Sequence, residues 1–121
     1  MYERHVTGQS GEQLAAEYLR QRGYTIIEVN FASRWAEIDI IAERNQVLYF
    51  FEVKTRRGLQ YGHPFHAISR AKLRKLRNLA YLFIQRQTIS YTGFRLGAIG
   101  IILQFGVAPK IDCVTNIDLF L

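Results

Sequence analysis

Two short stretches carry acids and a base at spacings that suit phosphodiester chemistry, Glu37-Ile38-Asp39-Ile40-Ile41 and Phe50-Phe51-Glu52-Val53-Lys54. Side chains alternate along a β-strand, so Glu52 and Lys54 share one face while Phe51 and Val53 take the other. The polar run Glu43-Arg44-Asn45-Gln46 is short enough to join the two stretches as a hairpin. An even-length turn then sets Ile41 opposite Leu48, Asp39 opposite Phe50 and Glu37 opposite Glu52. On that register Glu37, Asp39, Glu52 and Lys54 project together, with Asp39 and Glu52 diagonal neighbours about 7–8 Å apart at the backbone. Three carboxylates on one face repel each other unless a cation joins them. A hard divalent ion, Mg²⁺ or Mn²⁺, meets that need with carboxylate oxygens and water. Beside a phosphodiester such an ion activates water and neutralises the transition state, and Lys54 is placed to assist. Asp39 and Glu52 are thus the candidate metal ligands, and both act with Lys54 as candidate catalytic residues. The plainer alternative is Lys54 paired with Glu52 or Asp39 on a solvated face.

The elements that must position these residues read as follows. Gln9 to Arg22 is an amphipathic helix by the spacing of Leu14, Ala15, Tyr18 and Leu19, stopped by Gly23. Tyr24 to Phe31 is rich in β-formers, and Trp35 to Ala42 and Gln46 to Lys54 are two further strands. Gly58 to Pro64 is a loop, and roughly Ala67 to Gln85 a second helix with Leu73, Leu76, Ala80 and Phe83 along one side. Phe94 to Phe105 and Val107 to Val114 form a closing strand pair turned at Gly106, the first of them weakened by Gly97 and Gly100. This order gives an α/β fold, a single domain over residues 1–121 with a mixed five-stranded central sheet flanked by helices.

Charge adds a partner class. Lys and Arg number 16 against 10 Asp and Glu, a formal +6. Residues 61–121 hold 8 basic residues and only Asp112 and Asp118 as acids, so the excess lies in the second half. Such asymmetry points to a polyanion, first of all nucleic acid. Between Ala67 and Arg86 there are six basic residues and no acid, with Arg70, Arg74 and Arg77 spaced on one helical face, where phosphates would relieve their mutual repulsion. Lys72 belongs to the same basic set, and Arg56 and Arg57 add charge beside Lys54. The alternative is a solvated face whose arginine stems cover apolar surface.

The remaining singletons say less. One cysteine, Cys113, excludes an internal disulfide, fits a reducing compartment and is expected to be buried and inert. His63 and His66 lack a third ligand and make a poor zinc site, so loop surface is the expectation. Tyr61 and Phe65 could stack on bases, though such loop aromatics more often anchor their own loop. No apolar run spans a bilayer and Met1 to His5 lack a signal-peptide order, which reads as a soluble cytoplasmic protein without a membrane partner.

Gly11-Glu12, Ala15, Tyr18-Leu19, Gly23-Tyr24, Asn30, Glu37 to Ala42, Phe51 to Arg56, Tyr61-Gly62 and Lys72 together resemble the bacterial YraN or UPF0102 family over about residues 8–85. That family is similar in fold to restriction-endonuclease-like nucleases, including archaeal Holliday-junction resolvases. The resemblance implies a metal-dependent endonuclease acting on DNA, branched or otherwise structured. It puts the acidic and E-x-K signature on Asp39, Glu52 and Lys54, with Glu12 as a helical fourth member. Read alone, Glu12 is also an ordinary first-turn acid favoured by the helix dipole. Resolvase-like relatives are often dimers, which implies a homodimer by analogy. Two departures stand out: Ala36 where the family usually has glycine, and Gly97 where it usually has aspartate. Two other readings fit the same residues, a nucleic-acid-binding protein with a vestigial site and a protein–protein adaptor docking an acidic partner through its basic helix.

Overall fold

The computed structural model describes residues 9–60 and 62–117, with backbone alone for residues 9 and 10. Tyr61 and Asp118 lie outside that description. Helix α1 (Gln9–Gln21) leads into strands β1 (Thr25–Ala32), β2 (Glu37–Arg44) and β3 (Val47–Arg57). A 3-10 turn (Pro64–Ala67) precedes helix α2 (Arg70–Gln85), followed by β4 (Gly93–Leu103) and β5 (Lys110–Val114). One five-stranded sheet runs β1-β2-β3-β4-β5, parallel between β3 and β4 and antiparallel elsewhere.

Local chemistry sets these boundaries. α1 ends where Gly23 takes φ +87, with the Gly23 N–H donating to Arg20 O and the Tyr24 N–H to Leu19 O. That pair satisfies two orphan carbonyls, and Tyr24 and Leu19 bury together. α2 starts later than its apolar spacing suggests. Ser69 caps it, Oγ accepting the Lys72 N–H at 3.1 Å, while Pro64 opens a separate 3-10 turn. β5 likewise begins at Lys110 rather than Val107.

A helix covers each face. α1 supplies Ala15, Ala16 and Leu19 to a core with Ile40, Ala42, Phe51, Ile99 and Ile101. α2 supplies Leu73, Leu76, Leu79, Ala80 and Phe83 to a core with Ile38, Ile41, Leu48, Phe50 and Leu96. The glycines of β4 belong to this packing. A Cβ on Gly100 would stand 3.1 Å from Phe65 and 3.2 Å from Pro64, so its bareness lets the 3-10 turn lie on the sheet. No helix among the described residues is long and apolar enough to cross a membrane, a fact that does not bear on β-barrels.

The β2–β3 register differs from expectation by two residues. Arg44 pairs with Val47 and Ile41 with Phe50, because the turn is Asn45-Gln46 alone, both residues left-handed with φ 54 and 68. A two-residue shift by itself preserves the alternation of each strand, so Glu52 and Lys54 stay together on β3.

Candidate active site

Pairing of β2 with β3 ends at Ile40 and Phe51. Ile38 and Ile40, which a regular strand would hold on one face, instead join the cores under α2 and α1 respectively. The pleat is therefore broken at the residue between them, Asp39. The strands fork there, and the Asp39 carboxylate fills the gap, its Oδ2 accepting the Val53 N–H at 2.7 Å. Asp39 is not the diagonal neighbour of Glu52 that the expected four-residue turn implied. It reaches into the ladder beside Glu52 instead.

Asp39 and Glu52 are the buried charged residues of the described chain, 9% and 6% exposed. Burial pushes the Asp39 carboxyl up to about 7, against the Val53 hydrogen bond, and Glu52, Glu12 and Glu37 push it further. Glu52 is neutralised locally, its Oε2 lying 2.7 Å from Lys72 Nζ and 3.2 Å from Lys54 Nζ. Burial lowers the Lys54 pKa and its contact with Lys72 lowers it further, against the pull of Glu52. Burial also opposes charge on Lys72, but hydrogen bonds to Glu52 and Lys54 outweigh it and its pKa is raised.

Glu12 acts on this cluster from α1 through its charge, which Asp39 feels. Burial raises its pKa, as do Glu37 and Glu52, while a hydrogen bond from the Asn30 side chain opposes them. Asn30 adopts φ 53, a conformation asparagine tolerates, and acts as a positioning residue for Glu12. Nothing in the sequence marked it beyond its place in the family pattern.

Lys72 stands apart among the basic residues, seated on Glu52. At 100° per residue Arg70, Arg74 and Arg77 fall on one flank of the apolar stripe of α2, whereas Lys72 and Lys75 fall on the other. Lys72 and Lys75 line a cleft of about 290 Å³ with Trp35, Glu37, Glu52 and Ser69. The basic helix is thus two surfaces. Arg70 and Arg74 are exposed, Arg77 is half-buried and engaged, and Arg56 is half-buried at the open end of β3 next to exposed Arg57.

Gly97 explains the missing aspartate. It pairs with Phe51, on the α1 face, while Glu52 and Lys54 face α2. A Cβ there would come within 2.6 Å of the Phe51 ring and 2.7 Å of Val114 O. An acid at this position would lie across the sheet from the Glu52–lysine pairs, so glycine here leaves them intact. Gly97→Ala is expected to cost about 1–3 kcal/mol by urea denaturation.

His63 ties the loop rather than lying on open surface. Its Nδ1 accepts the Phe65 N–H at 3.1 Å, and its Nε2 lies 2.6 Å from Asp112 Oδ2. Cys113 is only half-buried, but burial still pushes its thiol up to about 11, which keeps it unreactive.

Fold and cleft together define an α/β protein with an open mixed sheet and a buried carboxylate–lysine cluster at a strand fork. The family model described as "Uncharacterised protein family UPF0102" matches residues 11–114, and the chain belongs to that family. A UPF0102 protein of Renibacterium salmoninarum is 40% identical over 87% of this chain and 89% of its own. One from Rhodococcus opacus is 40% identical over 90% and 92%, and one from Caldicellulosiruptor saccharolyticus 40% over 80% and 82%.

Proposed function

We propose that the chain is a divalent-metal-dependent endonuclease acting on structured or branched DNA. The observation that carries this reading is a pair of buried carboxylates at a strand fork, Asp39 and Glu52, close enough for the charge of Glu52 to raise the Asp39 pKa, with Lys54 and Lys72 on Glu52. The donors are hard oxygens, and Asp39 is held partly protonated near neutrality by burial and neighbouring acids, a condition a divalent cation relieves. Among the described residues no three His, Cys, Asp or Glu side chains converge as a ready ligand set. Two carboxylates would therefore hold Mg²⁺ or Mn²⁺, with water and phosphate oxygens completing the shell.

When bound, the ion supplies a more acidic water and neutralises charge on the phosphate. The chain's own groups do the rest. Asp39 keeps Oδ2 on the Val53 N–H, which fixes the carboxylate and leaves Oδ1 free to act. Lys54 Nζ orients the attacking water or donates to a non-bridging oxygen, and its lowered pKa eases proton movement at that atom. Lys72 and Lys75 attract the phosphates flanking the cut from the cleft wall, and Arg70, Arg74 and Arg77 hold more distant ones. Paired cuts across a junction need two such sites, which a homodimer would supply.

A second reading, DNA binding without cleavage, is favoured by the double lysine contact that already neutralises Glu52. Incubating branched and linear DNA with Mg²⁺ or Mn²⁺ separates the two. Cleavage lost in Lys54→Ala, with binding retained, is the expected result. Binding with no cutting under either metal would leave the second reading.

A further inference from the structure

The turn between β1 and β2 carries the chain's one tryptophan, Trp35, which is 75% exposed. An indole left in water forgoes a large burial gain, so its placement calls for a reason. The turn itself is tied down. The Ser33 N–H donates to Ala36 O at 2.8 Å, and the Trp35 N–H donates to Ser33 Oγ at 3.2 Å. Trp35 thereby lines the same cleft as Glu52, Lys72 and Lys75, and the Arg34 guanidinium stands 5.6 Å from its ring centroid. One wall of the cleft offers cations, the other an aromatic face.

That combination matches a nucleotide whose phosphate meets the lysines while its base stacks on the indole. Bases within a duplex are stacked already and offer no free face, whereas an unpaired base at an end, flap or loop does. We propose that Trp35 is a stacking platform that selects an unpaired nucleotide beside the Asp39–Glu52 cluster. This inference rests on the nucleic-acid reading above, and it makes single-stranded or frayed segments the preferred substrate.

Because Trp35 is the sole tryptophan, its emission reports on the cleft directly. The intact protein, with EDTA and at low salt, is titrated with a fluorescein-labelled oligothymidylate of about 12 nucleotides and with a blunt duplex of equal phosphate number. Anisotropy follows binding while indole emission follows stacking. Saturable quenching by the oligothymidylate is expected, with binding roughly tenfold tighter than for the duplex. Trp35→Ala should lose that advantage and leave duplex binding unchanged, and Trp35→Phe should keep most of it. Bound oligothymidylate with unaltered indole emission, or undiminished affinity in Trp35→Ala, overturns the stacking role and leaves the endonuclease reading standing. No anisotropy change with either probe overturns the nucleic-acid reading, and this inference with it.

Discussion

Asp39→Asn is expected to make the metal-free protein more stable at pH 8 while abolishing DNA cleavage. The Asp39 carboxyl has its pKa raised from 3.8 to about 7, so the fold binds its proton more tightly than the unfolded chain does. Its contribution is therefore present in full below about pH 4, fades as pH rises, and is lost above about pH 7. At pH 8 the wild type holds a buried negative charge. Asparagine removes that charge and keeps an oxygen for the Val53 N–H. The full shift corresponds to about 4 kcal/mol, and relaxation around the site should leave about 1–2 kcal/mol. Urea melts in EDTA from pH 4 to pH 8 would show the variant's advantage growing with pH. Adding Mg²⁺ at pH 8 should raise the wild-type midpoint and leave Asp39→Asn unmoved. A variant less stable than wild type at pH 8 would show that the Asp39 charge is compensated and needs no cation.

Glu52→Ala is expected to lose the proposed cleavage as well, but with the opposite effect on stability, a loss. Glu52 is paired to two ammonium groups, and its removal leaves Lys54 and Lys72 facing one another. Breaking a buried pair is costly because the remaining charge is stranded, though Lys72 is open enough to water to soften the penalty. About 2 kcal/mol is the expected loss at pH 7. Adding Lys72→Met to Glu52→Ala should recover part of it by removing one of the opposed cations. That recovery is the check, since loss of packing alone would make the double variant no better than Glu52→Ala. Two acids on adjacent strands thus carry opposite signs of effect on stability, set by whether lysines reach them.

Much of the site was legible from sequence. Alternation along β3 put Glu52 and Lys54 together, and the apolar runs of β2 and β3 forbade a one-residue slip that would have separated the acids. The length of the turn was not legible, but a two-residue shift by itself keeps the alternation, and β2 departs from it only at the fork near Asp39. Glu12 was reached by resemblance, and its charge is among those that raise the Asp39 pKa.

Composition, periodicity and turn residues therefore determined the elements, the mixed sheet and the residues that carry the acids and bases, since these depend on neighbours along the chain. Tertiary structure alone decided the fork at Asp39, the seating of Lys72 on Glu52, the division of the basic helix into two flanks and the packing that requires Gly97. Each depends on contacts between segments far apart in sequence, where the partner's distance and angle, rather than residue type, set the energy.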